Sequence, residues 1–397
     1  MKNIPNLRFS GFKYEWKEEK LGNIVDKFQY GMNSSSKKFD NINKYIRITD
    51  INENTNKYIS SNPVSPSGLL EDKYLVKEND ILFARTGAST GKTYIYNKED
   101  GKLYFAGFLI RANVIKSYNS KFVFFQTLTE KYNRWVKVVS MRSGQPGINA
   151  EEYASYYVNI PSLKEQEKIA SFFTLINKKI EKQSEKIELL KDYKKGMMKR
   201  IFSQKIRFKG YLNWKEGKLK DILNEKLYKI NKPLNPYWRL GIRSHGKGTF
   251  HEYVADPSKI NMDKLYEVKT DMLIVNITFA WEHAIAITNV KDEGKLVSHR
   301  FPTYVFKNNA RDTFYKYYIL TPKFKYYLVN ASPGGAGRNR VLNKKQFLEI
   351  PIPIPSIKEQ EKIASFLSLI DKKIEKDEEK LELLNQYKKG LLQQMFV

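Results

Sequence analysis

The sequence predicts an α+β protein in which two globular regions alternate with two long helices that pair as an antiparallel coiled coil. One long segment occurs twice, from Pro161 to Phe202 and again from Pro355 to Phe396, with most positions identical. Both copies are free of proline and glycine over most of their length, whereas the residues before each copy contain short β-branched and aromatic runs. Because a long internal repeat determines an architecture, the chain is expected to consist of two halves.

Each copy carries the start signal and the apolar spacing of one long helix. Ser162 is placed to cap the first turn, and Glu165 follows three residues later, which is a capping-box pattern. No glycine interrupts the first copy before Gly196. Apolar residues recur at steps of four and three, the heptad pattern of a coiled coil. The predicted seam consists of Ile176, Ile180, Gln183, Ile187, Leu190 and Lys194 in the first copy and Ile370, Ile374, Asp377, Leu381, Leu384 and Lys388 in the second.

Polar residues interrupt both seams at matching places, and they predict a register. An antiparallel pairing that sets Lys194 opposite Asp377 also sets Gln183 opposite Lys388 and leaves apolar residues facing apolar residues. A shift by one heptad places Lys194 on Ile370 and buries polar groups without partners, at about 1–3 kcal/mol each. Polar seam residues commonly determine the register of a coiled coil, so we predict the Lys194–Asp377 pairing.

A weaker repeat marks where each half begins. Arg8-Phe9 followed by Trp16-Lys17 resembles Arg207-Phe208 followed by Trp214-Lys215. The predicted division is therefore residues 1–160, termed the first head; 161–203, the first long helix; 204–354, the second head; and 355–397, the second long helix. The heads differ from each other far more than the helices do, which suggests two different specificities on one scaffold.

Charge and composition restrict the class of protein. The net charge of +27 indicates a polyanionic partner, such as nucleic acid. No run of apolar residues is long enough to cross a membrane, and the first residues do not read as a signal peptide. The absence of cysteine excludes disulfides and thiolate metal sites and fits a cytoplasmic protein.

Both heads are predicted to contain elements in the same order. In the first head, strands are expected over residues 44–51, 80–85, 92–96, 103–112 and 156–160, with a helix over 122–139. In the second head, residues 271–276 match the strand at 80–85, and a helix is expected over 313–329. A glycine-containing loop follows the helical stretch in each head, at 141–149 and 334–340.

No motif in the sequence predicts catalysis or metal binding. Gly87 to Thr93 resembles a phosphate-binding loop, but only three residues separate its glycines, and a strand-like run follows where a helix is needed. The four histidines are scattered without the spacing of paired metal ligands. We therefore expect a protein that is not an enzyme and that binds no metal.

The loops of the heads contain the residue types that contact DNA. Arginine forms paired hydrogen bonds with guanine, asparagine and glutamine do so with adenine, and lysine and arginine also bind phosphates. Solvent-exposed loops without a ligand are the competing interpretation for each residue. The predicted DNA-binding residues are Arg85, Lys92, Arg142 and Gln145 in the first head and Arg243, Lys247, Arg338, Asn339 and Arg340 in the second.

The complete chain resembles the specificity subunit of type I restriction–modification systems. The residues that carry the resemblance are the two helix openings, Pro161 to Ile169 and Pro355 to Ile363, in a doubled head-and-helix arrangement. The resemblance implies that each head reads one half of a split DNA target and that the paired helices set the spacing. It also implies that two modification subunits bind this chain, that restriction subunits join them, and that S-adenosylmethionine, ATP and Mg bind to those partners and not to this chain.

Two other functions remain open from the residues alone. The chain could be a coiled-coil adaptor whose basic heads bind nucleic acid without sequence preference, or a methyltransferase acting by itself. Selection from a random duplex pool separates recognition from a salt-dependent, sequence-blind interaction. An assay for DNA methylation by the purified chain tests whether it is a methyltransferase acting by itself.

Overall fold

The computed structural model describes residues 3–141, 144–334 and 340–397, which form two compact units. Unit 1 comprises Met1–Glu185 and Glu378–Val397, and unit 2 comprises Lys186–Asp377. The boundary therefore falls within both long helices. The four-segment division stays a prediction, since the units group each head with part of each long helix.

Unit 1 contains the first head. Its strands are β1 Lys17–Lys20, β2 Val25–Tyr30, β3 Ser36–Lys38, β4 Lys44–Ile46, β5 Val64–Pro66, β6 Asp80–Ala84, β7 Thr93–Ile95, β8 Leu103–Phe105, β9 Leu109–Val114 and β10 Tyr157–Ile160. Its helices are α1 Ser120–Gln126, α2 Glu130–Val139 and α3 Ala150–Ala154, followed by the long helix α4 Leu163–Phe202, which continues into unit 2.

Unit 2 contains the second head. Its strands are β11 Lys215–Lys218, β12 Leu223–Glu225, β13 Tyr228–Asn231, β14 Tyr237–Ile242, β15 Thr249–Val254, β16 Lys264–Glu267, β17 Leu273–Val275, β18 Ile285–Ile287, β19 Leu296–Val297, β20 Thr303–Phe306 and β21 Pro351–Ile354. Its helices are α5 Leu219–Ile222, α6 Asp312–Tyr318, α7 Pro322–Asn330 and α8 Lys344–Leu348, followed by the long helix α9 Ile357–Met395, which ends in unit 1.

The two heads share one strand arrangement. Within the described residues of the first head, an antiparallel sheet has the order β2-β9-β6-β7, and β1 pairs with β10. The second head repeats this as β12-β20-β17-β18, with β11 paired to β21. It also has a sheet of order β13-β16-β19-β14-β15, whereas the first head has the small pairs β3-β5 and β4-β8. The shared order confirms the predicted α+β class, and these additions make the heads differ.

Several predicted elements are shorter than expected. The strand predicted over 103–112 is interrupted by a turn at Gly107, and the helix over 122–139 is broken between α1 and α2, where Thr129 caps the second helix. The helix over 313–329 divides in the same way, because Pro322 begins α7. Only Lys44–Ile46 of the strand predicted over 44–51 is extended in the sheet.

Aromatic side chains join each head to the helical segments of its own unit. In unit 1, the ring of Phe122 lies 5.6 Å from that of Trp16 and 5.3 Å from that of Phe396 on the chain that follows α9. In unit 2, the ring of Phe314 lies 6.1 Å from Trp214 and 5.6 Å from Phe202. Buried aromatic residues contribute large apolar areas, so the end of each long helix belongs to the core beneath a head.

The long helices have the predicted bounds within two residues, and their segments run antiparallel within each unit. In unit 2, Lys186 forms a 2.8 Å salt bridge with Asp377, and Lys194 forms a 2.5 Å salt bridge with Asp371. The residue number in α9 falls from 377 to 371 as the residue number in α4 rises from 186 to 194, so the two helical segments are antiparallel. In unit 1, the rings of Phe173 and Phe396 lie 5.8 Å apart.

The predicted seam residues are buried or partly buried. Buried residues are Ile176, Ile180, Gln183, Ile187, Ile370, Ile374 and Asp377, and partly buried ones are Leu190, Lys194, Leu381, Leu384 and Lys388. The predicted Lys194–Asp377 pairing is wrong, since Asp377 binds Lys186 and Lys194 binds Asp371. The alternative shifted by about one heptad is the observed one. The free-energy cost expected for burying Lys194 without a partner does not arise, because its ammonium group reaches the carboxylate of Asp371 beside the seam.

No helix in the described ranges combines the length and the apolar character needed to span a bilayer.

Candidate nucleic-acid interface

In the first head, the structure brings together two segments that the sequence placed far apart. The backbone N–H of Gly87 donates to Pro146 over 2.9 Å, and the N–H of Ile148 donates to the carbonyl of Arg85 over 2.9 Å. A β-bridge joins Thr86 to Gly147. The turn after β6 and the glycine-containing loop before α3 therefore form one surface.

The turn after β6 depends on a glycine that packs against helix α2. Gly91 has φ of 87°, and a Cβ atom there would lie 2.5 Å from a methyl carbon of Val136. A side chain at this position would meet both backbone strain and a steric clash. The segment runs from β6 through a short 3-10 turn directly into β7, without the helix that a phosphate-binding loop would open. The segment is therefore a tight turn between two strands.

Arg85 is a predicted DNA-binding residue that lies on this surface against an aromatic ring. Its guanidinium group lies 4.8 Å from the ring centroid of Tyr30. The hydroxyl of Tyr30 accepts a hydrogen bond from the N–H of Ala150 at the start of α3, 3.2 Å away. A guanidinium group that lies over the face of an aromatic ring keeps the N–H donors at its edge available to a ligand. The role of Tyr30 was missed, because β2 gave no sequence signal that it lies beside Arg85.

The remaining first-head residues are placed differently. Lys92 has only 13% of its side chain exposed, and its ammonium group lies 3.3 Å from the carbonyl of Ile51 and 3.4 Å from Glu53. Those contacts disfavour the predicted phosphate contact. Gln145 is exposed beside Gly87. Arg142 lies outside the described residues.

In the second head, a basic turn joins β14 to β15. The guanidinium group of Arg243 lies 5.0 Å from the ring centroid of Phe250 and donates to the carbonyl of Thr249, and Lys247 is exposed. Backbone hydrogen bonds of 2.7 and 3.0 Å tie this turn to residues 282–283.

Arg340 lies near the same segment of the second head. Its guanidinium group is 5.8 Å from the ring centroid of Trp281. Trp281 gave no sequence signal as a partner of Arg340. Arg338 and Asn339 lie outside the described residues.

His283 has a structural role at this place. Its Nε2 lies 2.6 Å from the carbonyl of Ile319, so it donates a hydrogen bond there. Burial lowers the pKa of His283, which favours the neutral ring. Among the described residues, no group of three or more acidic or histidine side chains could hold a metal ion.

The two heads present different side chains on one backbone frame. The carbonyl of Arg85 accepts from Ile148, and the carbonyl of Ile277 accepts from Leu342 over 2.8 Å. The next residue in each loop caps a helix, since Asn149 caps α3 and Asn343 caps α8. The loops therefore enter α3 and α8 in the same way, while their other residues differ.

The repeated helix opening anchors each head to its long helix. The buried carboxylate of Glu165 accepts two hydrogen bonds from Arg8, of 2.7 and 2.8 Å, and Glu359 lies 3.4 Å from Arg207. The predicted capping-box glutamates therefore have a partner in the preceding head. The pairing of Arg8 with Glu165 was not predicted, although both residues recur in the second half.

The glutamine of the same motif makes a second anchor. The side-chain oxygen of Gln166 accepts from the N–H of Asn119, 2.9 Å away, at the start of α1. Gln360 accepts from the N–H of Arg311 over 2.8 Å at the start of α6. Both glutamines are buried, with 2% and 0% of their surface exposed. The motif thus positions the first helix of each head on the long helix.

Comparisons with known proteins agree with this architecture. A similar sequence is the type I restriction enzyme MjaVIII specificity subunit of Methanocaldococcus jannaschii, 25% identical over 80% of this chain and 78% of that protein. A provisionally named MjaX specificity subunit from the same organism is 24% identical over 98% of this chain and 95% of that protein.

Solved structures show the same fold. The S subunit of a type I restriction–modification system from M. genitalium covers 99% of both chains with a TM-score of 0.58 and 14% identity. A chain from a structure of the type I R-M system covers 97% of this chain and 98% of that chain, with a TM-score of 0.54 and 12% identity. The family described as the type I restriction modification DNA specificity domain matches residues 13–191 and again 211–386. The chain belongs to this family, and it is a non-catalytic specificity subunit.

Proposed function

We propose that the first head reads one half of a split DNA target, that the second head reads the other half, and that the paired helices set the spacing and dock two modification subunits. The observation that carries this proposal is the shared backbone frame with different loop side chains. Because the backbone frame is repeated, both heads can bind a DNA duplex in a similar orientation. Because their side chains differ, the heads can read different base sequences.

The interface residues suit both parts of DNA recognition. Arg85 and Arg243 each present a guanidinium group held over a ring, which suits paired hydrogen bonds to guanine. Exposed Lys247 suits a phosphate, because lysine binds phosphates as a point charge. The net charge of +27 supplies attraction for any duplex. Two heads on one chain also gain affinity jointly, since binding of the second becomes intramolecular.

The same proposal assigns the chemistry to other chains of a cytoplasmic complex. S-adenosylmethionine binds the modification subunits, and ATP and Mg act on the restriction subunits. The proposal rests on the family membership and on the absence of a catalytic motif in the sequence.

Selection of the full chain on a random duplex pool at moderate salt tests recognition. We expect enrichment of two short motifs separated by a constant spacer. A profile that falls steeply with salt and enriches no sequence would contradict the proposal and indicate an adaptor.

Exchange of the first head is the sharper experiment. Replacing residues 1–160 by the first head of another family member should change one half of the selected motif and leave the other half and the spacer unchanged. A change in both halves would show that the heads do not read independently.

A further inference from the structure

Phe108 is an exposed aromatic residue beside the first-head interface. It lies in the turn between β8 and β9, with 60% of its surface exposed. Its carbonyl accepts a hydrogen bond from the N–H of Arg85, 3.0 Å away. Phe108 belongs to none of the apolar cores in the described part of the chain. Burial in the head therefore does not explain an aromatic side chain here.

The second head has the same backbone contact with the side chains exchanged. The N–H of Ile277 donates to the carbonyl of Arg300 over 3.0 Å, as Arg85 donates to Phe108. The carbonyls of Ile277 and Arg85 both accept from the loop that precedes the capping asparagine. Arg85 thus corresponds to Ile277, and Phe108 corresponds to Arg300. Each head has one arginine and one apolar residue at this pair of positions, in opposite order.

We propose that Phe108 and Arg300 contact base edges, and that the exchanged pair makes the two heads prefer different bases. This inference rests on the proposed function. Arg300 is exposed and presents its donors to the acceptors of guanine. Phe108 cannot bind a phosphate, whereas the methyl group of thymine offers an apolar contact in the major groove. Neither residue could be identified from sequence alone, because neither lies in a glycine-rich or strongly basic loop.

The test compares the selected motifs of full-length variants. Phe108→Ala should weaken the preference for thymine at one position of the first half-site by about tenfold, the size of a modest base contact. Phe108→Leu keeps an apolar side chain and should retain most of that preference. Arg300→Ala should lower the preference for guanine in the second half-site alone. The double variant Arg85→Ile with Phe108→Arg should move the guanine preference within the first half-site.

Matched controls separate the possible outcomes. Tyr14 is an aromatic residue of the first head with 89% of its surface exposed, and Lys291 is an exposed cation of the second head. Tyr14→Ala and Lys291→Ala should leave both motifs unchanged. If the wild type selects a split motif and Phe108→Ala and Arg300→Ala select the same one, the inference is overturned while the proposed function stands. Equal weakening on all sequences also overturns it, because the residues then contribute only non-specific affinity. If the wild type selects no motif, the proposed function itself is refuted.

Discussion

Two lysines at corresponding positions of the long helices should have opposite effects on stability. Lys194 and Lys388 occupy the same place in the repeat. In unit 2, Lys194 forms a 2.5 Å salt bridge with Asp371, whose carboxylate accepts a 2.7 Å hydrogen bond from Tyr317. The Lys194 ammonium group also lies 5.3 Å from the ring centroid of Tyr317.

In unit 1, different residues occupy the positions of both Asp371 and Tyr317. Asn177 stands at the repeat position of Asp371, and Phe125 stands in α1 where α6 has Tyr317. The carboxylate that interacts with Lys388 is that of Glu181, which forms a 2.6 Å salt bridge with Lys57. Burial lowers the pKa of Lys388, and the attraction of Glu181 only partly offsets this effect. An incompletely compensated ammonium group is thus held in unit 1.

The lysine-to-methionine variants measure this difference. Methionine retains the unbranched apolar stem and removes the charge. Lys388→Met should stabilise by about 1 kcal/mol, because the desolvation cost of the ammonium group exceeds its remaining attraction. Lys194→Met should destabilise by about 1 kcal/mol, the upper end for a solvent-exposed ion pair, because the Lys194 and Asp371 side chains are each about a quarter exposed. Thermal unfolding should show melting temperatures shifted by about 2–4 °C in opposite directions.

The pH dependence gives an independent check. The folded-state pKa of Lys388 is depressed below its usual 10.5, so the unfolded chain binds more protons in the interval between the two values. Wild-type stability therefore gains from this group as the pH rises through that interval. The advantage of Lys388→Met should be full below the folded-state pKa and should vanish above about 10.5. A destabilised Lys388→Met variant, or a stabilisation that does not depend on pH, would refute the view of Lys388 as an incompletely compensated charge.

Two further pairs of substitutions test the anchor and the turn. Glu165→Gln should cost about 1–3 kcal/mol of unfolding free energy, because it weakens a buried charge-assisted pair, and Glu359→Gln should cost less, since its contacts are 3.4 and 3.5 Å. Urea unfolding measures both, and equal losses would contradict the comparison. Gly91→Ala should cost about 1–3 kcal/mol through its positive φ and its clash with Val136, whereas Gly144→Ala meets no atom within 4 Å and should be nearly neutral. Melting temperatures that fall equally for both glycine variants would exclude this explanation.

The long helices could be predicted because their information is local and duplicated. Helix start signals, heptad spacing and the repeat agreed with one another, and the observed helices differ from the predicted ones by two residues at most. The register could not be predicted in the same way. The predicted register required the ammonium group of Lys194 to lie in the seam, whereas the long side chain carries it to Asp371 beside the seam.

The candidate interface was only partly predictable for a related reason. Composition alone identified the loops rich in glycine and arginine. Arg85 and Arg243 each lie at a turn that is hydrogen-bonded to another segment of the same head. Tyr30, which contacts Arg85, lies on β2, and the pairing of β2 with β9 depends on non-local hydrogen bonds. Phe250, which contacts Arg243, lies in the hairpin of β14 and β15, which was not predicted. The five-stranded sheet that contains β14 and β15 likewise had no counterpart in the described part of the first head from which to infer it.

The distribution of repeated and unrepeated contacts explains how the heads can change without loss of the scaffold. The anchors formed by Glu165 and Gln166 recur as Glu359 and Gln360, and they hold the start of the first head helix in both units. The exchanged pair at the interface is joined only through its backbone, since Arg85 and Phe108 meet by an N–H and a carbonyl. A backbone hydrogen bond can form with any side chain at the two positions, provided that the donor residue is not proline. Under the proposed function, substitution at the interface therefore leaves the anchors intact, and each half of the chain can acquire a new base preference independently of the other.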